Sequence, residues 1–366
     1  MDQKTEYQPL ALRSSNVVNA KPFDGDLLGR KKLAEQLTGY LDRLRVGAVL
    51  AIDAQWGEGK TWFGLNWKSQ LESEEHKVVF IDAFAQDYVE DPFFLIAAEI
   101  TSLLDGDEDG SKGLREKAAG VAVALLPMSA KILVNFIGRI ALGSANIAGE
   151  YQEAANSVKD GMADVTSEFI GKKLKDYSHE KESLEHFKAE LTNFAAAQTK
   201  LVVIFIDELD RCRPTFAVQL IERIKHFFDV PNLVFILLIN REQLENAISG
   251  VYGPKTDSAM YLGKFIHLIF RLPKNISRLQ SSGSHYESKF IEDVLNRYGF
   301  AAHQQLMVDS FRTELLEWVV ALNLSLRDVE RACTLFVMSC APRPKFLGST
   351  EQDTAFTCYL IALVSG

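Results

Sequence analysis

Two short stretches hold side chains suited to chemistry on a polyphosphate. The first is Ala54-Gln55-Trp56-Gly57-Glu58-Gly59-Lys60-Thr61, which fits the phosphate-binding loop pattern with Ala54 in place of the first glycine. Wrapping a triphosphate requires successive backbone N–H groups to point inward, and Gly57 and Gly59 reach the φ values this takes. The first position mainly has to be small, which alanine satisfies. Lys60 is placed to reach the β- and γ-phosphates, and the Thr61 hydroxyl to hold Mg²⁺. Gln55, Trp56, Gly57, Glu58, Gly59, Lys60, Thr61 and Trp62 are thus the candidate ATP-contacting residues. The second stretch is Asp207-Glu208, which closes the apolar run Leu201–Ile206. Its expected chemistry is metal binding by Asp207 and activation of the attacking water by Glu208, with Asp210 the alternative to Glu208. The plainer readings are a strand–turn–helix corner for the first stretch and a helix cap for the second.

Side chains so far apart in sequence must be brought together by a sheet. Val46–Ile52, Lys77–Asp82, Leu201–Ile206 and Asn232–Ile239 are short apolar runs that read as buried parallel strands. Several end in polar residues, namely Asp82, Asp207 and Asn240, as expected where a ligand crevice follows the carboxyl ends of parallel strands. Asp82 reads equally well as a phosphate-side carboxylate or as a cap. Asn240 is placed to sense the γ-phosphate, or is a turn residue. Helices are expected over Asp24–Leu44, Trp62–Leu71, Asp91–Leu104, Glu180–Thr199 and Thr215–Phe228, and Tyr261–Pro273 reads as a helix end running into an edge strand. Arg211, Arg213, Arg241, Arg271 and Arg327 are the candidates for stabilising transferred phosphoryl charge. Arg327 is preferred, because it lies in a helical region that could close over the nucleotide.

The fold class expected is α/β, a three-layer sandwich around a mostly parallel sheet, with a helical insertion and a C-terminal helical subdomain. The boundaries read as an extension over 1–22, a core in two parts over 23–110 and 178–280, an inserted apolar helical segment over 111–177, and helices over 281–366. Within the insertion, residues 118–149 carry only Lys131 and Arg139 as charges. The longest uncharged run, Ala118 to Ala130, falls short of the roughly 18 residues of a spanning helix and contains Pro127. Three readings of 118–149 stand: a buried helical hairpin, a membrane-associated or re-entrant segment, or an oligomer interface.

The 366 residues are 47% hydrophobic and 24% charged, which places the chain among globular proteins. A net charge of −9 argues against a general nucleic-acid coat. Cys212, Cys333, Cys340 and Cys358 show no metal-ligand spacing and read as reduced thiols. No charged-then-apolar leader opens the sequence, so the expected location is the cytoplasm, peripheral to the inner membrane if 118–149 touches it.

DELDRCRP at 207–214 resembles the acidic signature of the KAP family of P-loop NTPases. Other stretches resemble the family in its own order: DLLGR at 26–30, WGEGKT at 56–61, FIDAFAQDYVEDP at 80–92, LINRE at 238–242, YLGKFI and FRLP within 261–273, and SLRDVERA at 325–332. Phe84 stands where the family usually has Trp. The resemblance implies an additional-strand core, Glu-assisted ATP hydrolysis, frequent membrane segments at the position of 118–149, and a role beside partner proteins in bacterial phage exclusion and defence.

Two classes of function follow. One is a Mg²⁺-dependent ATPase whose hydrolysis switches conformation or assembly, with protein partners or copies of itself. The other is a nucleotide-gated scaffold with little turnover that touches a membrane or a protein. No guanine-reading motif stands out, which favours ATP. A small-molecule kinase is weaker, because no acceptor-binding motif follows the loop.

Overall fold

Five strands form one sheet in the order β2-β3-β4-β1-β5. They are β1 Ala48–Asp53, β2 Lys77–Asp82, β3 Val202–Asp207, β4 Leu233–Ile239 and β5 Leu268–Arg271. The structure is a computed structural model, and it describes residues 21–44, 46–89, 91–102, 185–273, 286–298 and 305–340. The insertion 118–149 and the apolar stretch 355–364 lie outside the described residues. Among the described residues no helix is long and apolar enough to cross a membrane.

β2, β3 and β4 pair in parallel, with Asp82 opposite Asp207 and Ile206 opposite Leu237. β3 and β4 are buried at every position, which is why their sequences read as unbroken apolar runs rather than alternating ones. β4 lies between β3 and β1, so the strand ending in the acidic pair does not neighbour the strand leading to the glycine loop. This is the additional-strand order that the family resemblance implied.

The helices are α1 Arg30–Leu41, α2 Lys60–Ser73, α3 Pro92–Ser102, α4 over 185–197, α5 Pro214–Ile224, α6 Arg241–Tyr252, α7 Ser258–Leu262, α8 Tyr286–Arg297, α9 Gln305–Ala321 and α10 Leu326–Cys340. Pro92 and Pro214 each open a helix, where their missing N–H is no loss. α1 begins at Arg30 rather than at Asp24. The Asp26 carboxylate accepts from the Leu28 and Lys31 N–H groups, and Gly25 and Gly29 have φ of 72° and 64°, so 24–29 is a turn. Val46 stays outside β1 and is 65% exposed. α6 was not expected from the sequence, although Asn240 followed by a run rich in Glu, Gln and Ala carries the signal of a capped helix.

The described chain divides into two compact units. The described residues of one fall within 21–37, 52–69 and 270–340, and those of the other within 38–51 and 70–269. The second unit holds the main core. There Phe93 of α3 stacks on Phe227 at 5.8 Å and meets Phe187 of α4 edge-on at 5.5 Å. The Arg223 guanidinium on α5 forks onto the Asp91 carboxylate just ahead of α3. The first unit has its own core, in which Phe311 of α9 stacks on Phe336 of α10 at 3.8 Å among Ile291, Leu295, Leu315 and Val329. Beside the loop, Phe23, Trp62, Phe63 and Trp67 form an aromatic cluster with centroid spacings of 5.5 to 6.0 Å.

Candidate functional site

In the first unit, the loop 54–59 runs directly into the N-terminus of α2 at Lys60. Gly57 and Gly59 take φ of 82° and 78°, the left-handed region that the sequence reserved for them. The Lys60 side chain is buried, and its Nζ donates to the Ala54 carbonyl at 2.9 Å and to the Gln55 carbonyl at 3.5 Å. The ammonium thus closes the loop on itself. Thr61 follows on the first turn of α2, where the helix dipole favours anions. Glu58 is buried, whereas Trp56 is 44% exposed. Trp62 sits edge-on to Phe23 at 5.7 Å, which anchors the far side of the turn.

Two further parts of the first unit touch this loop. Arg30, at the start of α1, is 1% exposed and donates to the Glu58 carbonyl at 2.7 Å and the Gly59 carbonyl at 3.3 Å. Arg30 closes the stretch DLLGR, where the sequence offers a family resemblance and no chemical role for it. The N-terminus of α10 is the other part. Its capping box joins Ser325 and Asp328, the Ser325 N–H and Oγ donating to the Asp328 carboxylate at 3.1 and 2.6 Å. The Arg327 N–H donates to the Gly57 carbonyl at 3.2 Å. Arg327 therefore stands at the loop through its backbone, and among the described residues no carboxylate pairs with its guanidinium.

In the second unit, Asp207 ends β3 and is 1% exposed, its Oδ1 accepting from the Glu208 N–H at 2.8 Å. Glu208 has a φ of 58°, which is uncommon for a residue with a side chain. Its carbonyl accepts from the Arg211 N–H at 3.1 Å and from the Cys212 thiol at 3.5 Å, and its carboxylate meets Arg211 Nε at 2.6 Å. The signature DELDRC is thus a tight turn pinned on both sides of Glu208. Burial first, then the charges of Asp87, Asp210, Asp82 and Glu208, push the Cys212 thiol up to about 12. With Asp82 opposite Asp207 and Glu208 and Asp210 just beyond, the ends of β2 and β3 form an acidic rim.

Asn240 is buried, and its side chain caps α6 by accepting from the Gln243 N–H at 3.4 Å. Asp82 likewise caps a turn, accepting from the Ala85 N–H at 3.0 Å. Three of the candidate arginines are held by carboxylates: Arg211 by Glu208 and Arg241 by Glu245, both at 2.6 Å within one turn, and Arg213 by the sequence-distant Asp87 at 3.6 Å. Arg271 approaches Asp53 at 3.7 Å with a side chain 90% exposed.

The profile of the KAP family P-loop domain matches residues 30–335. The chain belongs to the KAP family. No curated protein matches it in sequence. Among solved structures, the chain is similar to the Aeropyrum pernix ORC2 protein in its ADP form, at 10% identity and a TM-score of 0.40, covering 94% of this chain and 71% of that one. It is similar to the same protein in ADPNP–ADP complexes at 11% identity and a TM-score of 0.38, covering 94% and 70%. A third likeness is to Drosophila ORC bound to poly(dA/dT) DNA and Cdc6, at 12% identity and a TM-score of 0.33, covering 93% and 49%. The KAP match starts at Arg30 and ends within α10, past its N-terminal turn, so both parts that touch the loop fall within it.

Proposed function

We propose that this KAP-family chain binds ATP with Mg²⁺ at the 54–61 loop and hydrolyses it to switch conformation or assembly. The observation that carries this reading is the loop itself: two glycines at positive φ, a buried lysine folded across the loop, and a helix N-terminus directly behind. A bound polyphosphate would replace the carbonyls that Lys60 now holds. Thr61 and Asp207 offer a hydroxyl and a carboxylate, the hard oxygen donors that Mg²⁺ prefers, and would hold it. The ion when bound neutralises phosphate charge. Glu208 takes the role of orienting and deprotonating the attacking water, and Asn240 of sensing the γ-phosphate with the amide it does not use for capping. Arg327 supplies positive charge at the loop.

Phosphate release by the purified chain tests this, with ATP and GTP as substrates. Lys60→Ala is expected to lose nucleotide binding. Glu208→Gln is expected to keep binding and to lose turnover by about a hundredfold or more. Turnover by Lys60→Ala equal to that of wild type would reject the site.

One observation favours the second reading, a nucleotide-gated scaffold with little turnover: Arg211 holds the Glu208 carboxylate at 2.6 Å, so the base is engaged. Steady-state turnover separates the two readings. The resemblance to phage-exclusion and defence proteins supports a role in a bacterial defence or signalling system, with protein partners or further copies of the chain. Contact of 118–149 with the inner membrane is the corresponding localisation proposal, and liposome flotation of the full chain tests it.

A further inference from the structure

We propose that Arg30 is a positioning residue for the phosphate loop: its guanidinium sets the peptide planes that aim the Gly59 and Lys60 N–H groups at a bound polyphosphate. This rests on the reading of 54–61 as a nucleotide site. The guanidinium is a planar fork of donors with no acceptor. Its Nη2 donates to the Glu58 carbonyl at 2.7 Å and to the Pro273 carbonyl at 3.3 Å, and its Nη1 to the Gly59 carbonyl at 3.3 Å. All of these bonds lie within the first unit.

The geometry follows from the planarity of the amide. The Glu58 carbonyl shares a peptide with the Gly59 N–H, and the Gly59 carbonyl shares one with the Lys60 N–H. In a trans peptide the C=O and N–H point opposite ways. Drawing both oxygens onto Arg30 therefore turns both N–H groups away from it, toward the side a phosphate would take. The Gly59 oxygen also accepts from the Phe63 N–H at 3.0 Å, so the plane is fixed from the helix side as well. Gly59 is matched to the guanidinium in a second way. A Cβ at that position would lie 2.8 Å from Nη1, so the fork closes onto the loop only against a hydrogen. The bond to Pro273 ties the same fork to the chain just beyond β5. A lysine here would supply one point charge to three carbonyls and could not hold two peptide planes at once.

The test uses the full chain and a fluorescent ATP analogue with Mg²⁺. Arg30→Ala is expected to weaken binding by about tenfold or more, since charge-assisted bonds to two loop carbonyls are lost. Arg30→Lys is expected to fall between the two. Millimolar guanidinium ion should restore part of the affinity of Arg30→Ala, and methylammonium should not, a readout that a merely structural role does not move. Folding is checked by circular dichroism and by melting without nucleotide. If Arg30→Ala fails to fold, Arg30→Lys decides, with weaker binding at an unchanged melting temperature supporting the role. Affinity within about twofold of wild type in a folded Arg30 variant overturns it, as does a loss that guanidinium leaves untouched. Lys60→Ala runs alongside. If that variant binds as tightly as wild type, the nucleotide reading of the loop falls, and the role of Arg30 falls with it.

Discussion

Replacing Gly57 by alanine tests how closely the phosphate loop and the first turn of α10 are fitted together. Two penalties add. Gly57 has a φ of 82°, and a residue with a Cβ in the left-handed region is strained by about 1–2 kcal/mol. The new methyl would also lie 2.6 Å from Ser325 Oγ and 2.8 Å from Arg327 Cβ. Arg327 Cβ is fixed to the helix backbone and cannot swing aside, so the loop and α10 must separate, at about 1–3 kcal/mol for an overpacked methyl. The Arg327 N–H bond to the Gly57 carbonyl, 3.2 Å, weakens as they do. The expected destabilisation is about 2–5 kcal/mol. Urea denaturation of wild type, Gly57→Ala, Ser325→Gly and the double variant measures it as a cycle. Ser325→Gly removes the nearest clashing atom and by itself costs a few tenths of a kcal/mol, because glycine still serves at a helix N-cap. The double variant should regain about 1 kcal/mol relative to additivity, while the φ strain remains. Stability of Gly57→Ala within about 0.5 kcal/mol of wild type, or strict additivity of the pair, would refute the fit.

Two further expectations concern titration. Burial holds the His76 imidazole below its ordinary 6.5 despite the neighbouring Asp42 carboxylate, so the ring is neutral at pH 7 and its 3.3 Å approach to Asp42 is not an ion pair. The unfolded chain takes up a proton near 6.5 and the folded chain only below it, so stability is full above that pH and falls as pH drops through it. His76→Gln should flatten the fall between about pH 7 and 5, leaving the part due to His226, which burial also holds low. An unchanged slope would count against it. The Cys212 thiol, pushed up to about 12, should resist iodoacetamide at pH 8 in the folded protein and react once urea unfolds it. Mass spectrometry of the labelled peptide reads this, and equal labelling in both states contradicts the burial.

Much of the site was legible because its chemistry is local. A loop that turns N–H groups inward needs glycines at fixed places, and Gly57 and Gly59 take the positive φ values their positions called for. β2 was readable to the residue, since an apolar run bounded by turn residues has one reading. The helix expected from Asp24 begins six residues later, because the Asp26 side chain outcompetes the helix for the nearby N–H groups. The Asn240 side-chain oxygen, read as sensor or turn residue, caps α6, a role that Asn shares with Asp, Ser and Thr.

The sequence by itself determined the parts that depend on neighbours along the chain: the phosphate loop, the acid-tipped strand and the run of buried strands. Each rests on the conformation of a few consecutive residues. Only the tertiary structure decided the partners across long separations. Arg30 reaches Glu58, Gly59 and Pro273, and the Arg327 N–H meets the Gly57 carbonyl, because buried carbonyls take donors from wherever the fold brings them, however far along the chain. Which distant donor serves them is fixed by how helices and strands stack, and residue spacing carries no record of that.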